Sequence, residues 1–243
     1  MDMKYFDIEN LQDLSDGRIL LMDKPLFWTS FDLVKKTRAV IEKHMRQKWD
    51  ERRRVKVGHA GTLDPLATGL MLVATGKKTK MLQHLTAEEK EYIAVLELGK
   101  TTPSFDLETM FDHQYTLSHL DERDVYTVTK QFTGEMDQVP PVYSAKNIGG
   151  KRAYHAARKG EKVDMKPHRI LIHELEVVRL SWPLLTIRVR CNKGTYIRSL
   201  ARDIGEALQC GAHLAGLQRI RIGGYHLEDA VTIENFGQFV RNL

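Results

Sequence analysis

The spacing of apolar residues changes at Gly194, and this change constrains the fold more than any other feature of the sequence. Before the glycine, alternate residues are apolar, which indicates a strand with one buried face: Leu185, Ile187, Val189 and Cys191. After it, apolar residues recur at helical spacing: Ile197, Leu200, Ala201, Ile204 and Leu208. Arg198 and Arg202 fall outside this apolar stripe. The segment therefore predicts a strand followed directly by an amphipathic helix.

Other segments predict the same mixture of elements. The predicted strands are Arg18 to Met22, Tyr92 to Leu98 and two more within Ile170 to Leu180, and a helix is predicted from the capping box Thr29-Ser-Phe-Asp32 to about His44. The strands alternate in polarity rather than being apolar throughout, which is typical of antiparallel sheets. Because no internal repeat or flexible linker is visible, we expect one α+β domain with a largely antiparallel mixed sheet flanked by helices.

The bulk composition limits the classes of protein. An excess of 37 Lys and Arg over 32 Asp and Glu gives a net charge of +5, which suits a polyanionic partner but is too mild to prove one. The two cysteines, Cys191 and Cys210, encode neither a disulfide framework nor a zinc knuckle. The N-terminus has no apolar signal core, and the longest apolar run, Gly69 to Ala74, is too short to span a bilayer. We therefore expect a cytoplasmic protein that does not insert into membranes.

A dense run of unusual residues marks a candidate site. The run Gly58-His-Ala-Gly-Thr-Leu-Asp-Pro-Leu-Ala-Thr-Gly69 places three glycines around one imidazole and one carboxylate, and glycines let the backbone approach a ligand closely. A structural alternative stays open, in which Asp64 caps a helix that begins at Pro65. For His59, a hydrogen-bonded histidine in a turn is the corresponding alternative.

Two other chemistries lack sequence support. A phosphate-binding loop ending at Gly99-Lys-Thr101 would need glycine where Ala94 stands, and no nucleotide cofactor is expected. The ten histidines form no His-Glu-x-x-His motif and no pair at helical spacing. We therefore expect no metal and no cofactor.

Several motifs along the chain together resemble the TruB family of bacterial tRNA pseudouridine synthases. The matching segments are Leu20-Leu-Met-Asp-Lys-Pro25, Gly58-His-Ala-Gly-Thr-Leu-Asp-Pro65, Tyr143-Ser-Ala, Gly150-Lys-Arg-Ala-Tyr-His-Ala-Ala-Arg158, Lys193-Gly-Thr-Tyr-Ile-Arg-Ser-Leu200 and Cys210-Gly-Ala-His213. The resemblance implies an enzyme that isomerises the uridine at position 55, in the T-loop of tRNA, to pseudouridine. It also implies a pseudouridine synthase catalytic domain over residues 18–243, after an N-terminal extension of residues 1–17.

The resemblance implies specific roles for seven residues. In the catalytic group, Asp64 is the essential aspartate, Arg198 pairs with it, and Tyr92 stacks on the target base. The implied substrate-binding residues are His59, Tyr92, Tyr196, Leu217 and Lys24, of which Lys24 supports the site with Pro25 and does not react. Without the resemblance, core packing would explain Tyr92 and Tyr196 equally well.

Three departures from the family pattern limit what can be carried over. Phe27 stands where the family has a glycine, so the turn after Pro25 is in doubt. Many relatives have Thr-Asp-Thr near Thr102, and this acid is missing from Gly99-Lys-Thr-Thr-Pro-Ser-Phe-Asp106. Many relatives also continue past the region that matches Val231-Thr-Ile-Glu234, so we expect no C-terminal RNA-binding domain.

The implied partner is tRNA, bound through its T-arm by a monomeric protein. The cations available for its phosphates are Lys146, Lys151, Arg152, Arg158, Lys159 and the run Arg52 to Arg54. Residues 142–162 match an RNA-gripping insertion. For the charged segment Arg46 to Lys56, taken in isolation, a solvated loop is slightly favoured over an arm that faces phosphates. Two other functions stay open: a synthase of the related guide-RNA-dependent branch, and a module that binds or folds tRNA without turnover.

Overall fold

A computed structural model of the chain describes residues 8–50, 53–144, 147–148, 151–152 and 165–243, with backbone only at 147–148 and 151–152. The chain divides into two compact units, Met1–Tyr92 with Gln218–Leu243 and Ile93–Leu217. Helices in the described residues are α1 (Leu11–Asp16), α2 (Ser30–Trp49), α3 (Leu82–Ala87), α4 (Glu122–Thr129), α5 (Ile197–Ala207) and α6 (Ile233–Asn242), with 3-10 turns at Gly76–Met81, Lys130–Phe132 and Leu227–Asp229.

The described strands are β1 (Ile19–Lys24), β2 (Val57–Ala60), β3 (Ala67–Thr75), β4 (Lys90–Leu98), β5 (Lys100–Thr101), β6 (His113–Gln114), β7 (Gly134–Gln138), β8 (Asn147–Ile148), β9 (Lys151–Arg152), β10 (His168–Ser181), β11 (Leu184–Cys191), β12 (Ala212–Ile222) and β13 (Tyr225–His226). Strands β4 and β12 have residues in both units.

The first unit is built around strand β3. This strand is antiparallel both to β1, from Ile19↔Ala74 to Lys24↔Gly69, and to β2, from Val57↔Thr75 to Ala60↔Leu72. Strand β12 is its neighbour in the sheet and pairs in turn with β13. The apolar core on this sheet consists of Leu21, Ala60, Leu70, Leu72, Leu85 and Ile222.

Helix α2 begins as the sequence predicts and runs further. The Thr29 side chain accepts the Asp32 N–H, and the Asp32 carboxylate accepts the Thr29 N–H, so the predicted capping box is confirmed. The helix continues past His44 to Trp49, because its last turns consist of good helix formers and carry Arg46 and Lys48 near the negative end of the helix dipole.

In the second unit, strands β4, β11, β10 and β7 are neighbours in this order. The pairs β10–β11 and β10–β7 are both antiparallel. The prediction of two strands within Ile170 to Leu180 is wrong, since β10 is one strand from His168 to Ser181. Register shifts between Ile172 and Glu174 and between Val177 and Arg179 disturb its alternation, and such bulges hide the continuity of a strand from its residue pattern.

The strand and helix on either side of Gly194 are confirmed as β11 and α5. The α+β class with a largely antiparallel sheet flanked by helices is confirmed as well. The burial of α5 differs from the burial that its apolar stripe predicts. Arg198 lies outside the stripe but is only 4% exposed. Among the described residues, none of the helices combines the length and apolar character needed to cross a membrane.

Candidate active site

Asp64 lies in the loop that connects β2 to β3 in the first unit. The alternative in which it caps a helix is wrong, because residues 64–67 form a turn in which the Ala67 N–H donates to the Asp64 carbonyl at 3.1 Å, and strand β3 follows at once. Pairing with β1 and β2 on its two edges outweighs the local pattern that suggested a helix start at Pro65. The Asp64 side chain is half-buried.

Ser30, the first residue of α2, and Phe27, in the turn before α2, hold this loop. The buried Ser30 hydroxyl donates to the Leu63 carbonyl at 2.9 Å and accepts the Leu63 N–H at 2.8 Å. The Phe27 N–H donates to the Pro65 carbonyl at 2.8 Å. The residues on both sides of Asp64 are therefore fixed through their backbones. Ser30 had no assigned role in the sequence, although it belongs to the predicted capping box Thr29-Ser-Phe-Asp32.

Phe27 adopts a backbone conformation that favours glycine. Its φ is 67°, in the left-handed region that is unfavourable for residues with a side chain beyond Cα. Its ring is 75% exposed, so burial of the ring does not offset this strain. The turn after Pro25 therefore keeps the geometry that a glycine would adopt, at some cost in stability.

Arg219 holds the other side of the Asp64 loop. Its side chain is 1% exposed, its Nε donates to the Leu70 carbonyl at 2.8 Å, and its Nη2 donates to the Gly61 carbonyl at 3.3 Å. The Arg219 backbone packs so closely against position 69 that only glycine fits, because a Cβ at Gly69 would lie 2.4 Å from the Arg219 carbonyl oxygen. One buried guanidinium thus joins the loop to β3, a role that the sequence did not indicate.

Lys24 is fully buried at the end of β1. Its Nζ donates to the carbonyls of Pro25 at 2.9 Å and Trp28 at 2.7 Å. Burial lowers the pKa of Lys24 to about 8, and the attraction of the Asp64 carboxylate partly opposes this effect. Lys24 therefore supports the turn before α2 and acts electrostatically on Asp64.

His59 and Tyr92 also belong to the first unit. His59 is half-buried on β2, and burial is the main cause that lowers its pKa below the ordinary value. Its imidazole is therefore neutral at pH 7. Tyr92 lies on β4 with 9% of its surface exposed.

In the second unit, Arg198 forms a buried ion pair with Asp106. The Arg198 Nε lies 3.6 Å from the Asp106 Oδ2, and both residues are 4% exposed. The Arg198 Nη1 donates to the Tyr143 carbonyl at 2.9 Å, and the Glu108 N–H donates to the Asp106 Oδ1 at 2.9 Å. The altered segment Gly99 to Asp106 therefore does bring a carboxylate to the arginine, although no spacing in the sequence links the two.

Tyr196 precedes α5, and the buried Gln138 side chain holds its backbone. The Gln138 Oε1 accepts the Tyr196 N–H at 2.8 Å, and the Gln138 Nε2 donates to the Tyr196 carbonyl at 3.1 Å. The Tyr196 ring meets the His168 ring edge to face, with centroids 6.1 Å apart. Leu217, half-buried on β12, is the last residue of this unit.

The structure thus places Lys24, His59, Asp64 and Tyr92 in the first unit, and Tyr196, Arg198 and Leu217 in the second. The predicted pairing of Asp64 with Arg198 stays a prediction. Of the predicted phosphate contacts, Arg52, Lys146, Arg158 and Lys159 lie outside the described residues, as does most of the segment 142–162, and the side chains of Lys151 and Arg152 are not described.

Family comparisons agree with this layout of motifs. Residues 46–197 match the family described as "TruB family pseudouridylate synthase (N terminal domain)", and residues 198–242 match the "tRNA pseudouridylate synthase B C-terminal domain". Both descriptions define one class of enzyme, the pseudouridylate synthases. Within that class, the chain belongs to the TruB family.

Curated relatives match over nearly their whole length. Proteins named tRNA pseudouridine synthase B from Phocaeicola vulgatus and Parabacteroides distasonis are 49% and 50% identical over 228 residues, which cover 94% of this chain and 95% of each relative. The protein of the same name from Flavobacterium johnsoniae is 44% identical over 225 residues, which cover 93% of this chain and 96% of the relative.

Solved structures match over a part of their length. A chain of a "Cbf5-Nop10-Gar1 Complex" has a TM-score of 0.67 and 28% identity over 94% of this chain and 55% of that chain. A chain in the "Structure of H/ACA RNP bound to a substrate RNA containing 2'-deoxyuridine" has a TM-score of 0.65 and 27% identity over 93% of this chain and 54% of that chain. The protein thus spans about half the length of these solved chains.

Proposed function

We propose that this protein isomerises the uridine at position 55 in the T-loop of tRNA to pseudouridine, with the Asp64 carboxylate as its catalytic group. Its membership of the TruB family and its extensive identity to proteins named tRNA pseudouridine synthase B support a tRNA pseudouridine synthase. The observation that carries the role of Asp64 is its position in a loop fixed from both sides, by Ser30 and by Arg219.

The reaction needs a carboxylate that is held in place and ionised. The bond between the ribose and the base nitrogen breaks, the base turns, and a bond to a base carbon forms. That carbon loses its hydrogen as a proton and the freed nitrogen takes up a proton, so no atom is gained or lost overall and no electrons leave the substrate. A carboxylate can act here as a nucleophile or as a base. The buried Lys24 ammonium group attracts the Asp64 carboxylate electrostatically.

We propose that two tyrosines, Tyr92 of the first unit and Tyr196 of the second, contact the target base. Unstacking a base costs a few kcal/mol, and stacking on an aromatic ring offsets about 1–3 kcal/mol of it. Tyr92 would stack on the base, and Tyr196 and Leu217 would line its pocket. His59 is neutral at pH 7, so it would hold the flipped nucleotide by hydrogen bonding or packing rather than by pairing with a phosphate.

The Asp106 carboxylate gives Arg198 a fixed orientation from one side. A guanidinium has five N–H donors, so one that pairs with Asp106 can also serve a second carboxylate. We propose that this second carboxylate is Asp64. In this arrangement Asp106 is a positioning residue that acts through Arg198.

The proposal also covers tRNA recognition, the oligomeric state and the location of the protein in the cell. We expect the T-arm to carry the determinants of recognition, the protein to act as a monomer, and the reaction to take place in the cytoplasm. A single experiment tests the core of the proposal: purified protein is incubated with unmodified tRNA, and pseudouridine is mapped by position.

The mapping experiment has decisive outcomes. We expect modification at position 55, none in a tRNA with cytidine at that position, and similar rates for an isolated T-arm stem-loop and whole tRNA. Modification that appears only with an added guide RNA would favour the guide-dependent branch. Tight tRNA binding without any pseudouridine would favour a binding or folding module. Either result would overturn the proposal.

A further inference from the structure

A cleft of about 620 Å³ opens beside the second half of α2 in the first unit. We call it the α2 cleft. Its lining residues come from α2 and from the segment before β2: Arg38, Ala39, Glu42, Lys43, Arg46, Arg53 and Arg54. Among the described residues, five cationic side chains and one carboxylate, that of Glu42, thus line the cleft.

The carboxylate of Glu42 has a structural task. Its Oε1 accepts the Val55 N–H at 2.9 Å, which ties the segment after α2 to the helix. On the same side, the Arg38 Nη2 donates to the Val57 carbonyl at 3.2 Å, while its Nε is buried and makes no hydrogen bond within the described residues. These two contacts hold Arg53 and Arg54 next to the basic residues of the helix.

The other four cations of the α2 cleft are not neutralised by any residue of the protein that the structure describes. Lys43, Arg46, Arg53 and Arg54 are all exposed, and none forms an ion pair with any residue that the structure describes. Cationic side chains on a flat, solvated surface can move away from one another. These four line the same cleft, so their charges stay close together. Their mutual repulsion is relieved when an anion enters.

The size and lining of the cleft indicate the kind of anion. At about 30 Å³ for each water in the liquid, the volume corresponds to about twenty waters, far more than one phosphate group displaces. None of its described lining residues is aromatic, so they offer no surface on which a base could stack. Arginine binds phosphate oxygens in a bidentate manner, and three of the four unpaired cations are arginines.

We propose that the α2 cleft binds the phosphodiester backbone of the RNA substrate, as a contact additional to the residues that hold the target uridine. The inference rests on the proposed function, because RNA is the polyanion that this enzyme must hold.

A triple variant tests the proposal against a control of equal charge. Arg46→Gln/Arg53→Gln/Arg54→Gln removes three cations of the cleft and leaves Arg38 and Glu42 in place. The control Lys77→Gln/Lys78→Gln/Lys80→Gln removes three exposed lysines from the 3-10 turn Gly76–Met81 of the same unit. Binding of unmodified tRNA to each protein is measured over a series of salt concentrations.

We expect the cleft variant to bind tRNA at least tenfold more weakly at moderate salt, and the control to stay within threefold of the parent. The negative slope of the logarithm of the binding constant against the logarithm of the salt concentration should become shallower by about 2 in the cleft variant. Each lost phosphate contact reduces the magnitude of this slope by about 0.7–0.9. An equal weakening in both variants would mean that only net charge matters and would overturn the proposal. Unchanged binding by the cleft variant would do the same.

A second measurement separates this proposal from the proposed function. Single-turnover formation of pseudouridine is measured at saturating enzyme, where we expect the cleft variant to match the parent within twofold. If the parent makes no pseudouridine, the proposed function fails. If the parent is active and the cleft variant binds normally, only the cleft proposal fails. Should the triple variant melt early, the single Arg54→Glu variant repeats the binding test, with Lys78→Glu as its control.

Discussion

The Arg198 Nε lies 3.6 Å from the Asp106 Oδ2, and the two side chains are only 5% and 6% exposed. Taking two charges out of water is costly, and the cost is offset only while the charges remain together. The Arg198 Nη1 also donates to the Tyr143 carbonyl, and the Glu108 N–H donates to Asp106, so both groups have partners besides each other. The ion pair therefore fixes the orientation of the arginine before any substrate binds.

Asp106→Asn should destabilise the protein and lower its activity. Removing one member of a buried ion pair costs about 3–5 kcal/mol, because the other charge stays buried without its partner. The control Asp137→Asn removes an exposed carboxylate that lies 3.7 Å from Arg169, and such surface pairs contribute at most about 1 kcal/mol. Denaturant unfolding of the two variants measures the difference. Equal stabilities would show that the Asp106 pair does not matter to the fold.

Phe27→Gly should stabilise the protein by about 1 kcal/mol. Phe27 holds a left-handed φ of 67° that costs about 1–2 kcal/mol for a residue with a side chain, and glycine adopts it without that strain. The greater conformational entropy of glycine in the unfolded chain reduces this gain in the free energy of unfolding. Phe27→Ala is the matched control, because it loses the same exposed ring and keeps the strain. A Phe27→Gly protein no more stable than Phe27→Ala would contradict the argument.

The pKa of Lys24 predicts a pH dependence of stability with a definite sign. Burial lowers this pKa from 10.5 in the unfolded chain to about 8. Between these values the unfolded chain binds more protons at Lys24 than the folded one, so the free energy of unfolding rises with pH. The destabilising contribution is complete below about pH 8 and disappears as the pH rises to about 10.5.

Comparison with Lys24→Met isolates this effect from other groups that titrate in alkaline solution. The stability of the parent minus that of Lys24→Met should increase by about 3 kcal/mol between pH 8 and 10.5, because a tenfold difference in proton affinity corresponds to about 1.4 kcal/mol. Unfolding curves at closely spaced pH values measure the difference. A difference that stays constant, or that falls with pH, would show that Lys24 is not desolvated in the folded state.

Local signals explain which parts of the fold were predictable. The capping box at Thr29 and Asp32 and the change of period around Gly194 are encoded within a few residues, and both elements formed as expected. The turn at Asp64 was ambiguous because Pro65 suits the first turn of a helix, and only pairing of the following residues with β1 and β2 decides for a strand.

The partners within the candidate site could not be predicted in the same way. Asp106 and Arg198, or Arg219 and the Gly61 carbonyl, are distant in the sequence and meet only once the chain has folded. Ser30 resembles any hydroxyl in the first turn of a helix until its bonds to Leu63 are known. The sequence motifs indicated the candidate groups, whereas tertiary contacts determine which residues hold them in place.

Asp64→Asn provides the sharpest test of the catalytic proposal. Asparagine has nearly the same shape as aspartate, and no helix begins at residue 64, so the loop held by Ser30 and Arg219 should persist. A neutral amide is neither an effective nucleophile nor a base. We expect tRNA binding within about threefold of the parent and single-turnover pseudouridine formation slower by at least about 10²–10⁴-fold.

Two further readouts show whether such a loss reflects chemistry rather than unfolding. The Asp64 carboxylate counteracts the effect of burial on Lys24, so its removal should lower the pKa of Lys24 further and reduce stability at neutral pH. The control Asp16→Asn makes the same chemical change at an exposed position of the first unit and should leave rate, binding and melting unchanged. If Asp64→Asn makes pseudouridine within tenfold of the parent rate at saturating enzyme, Asp64 is not the catalytic group.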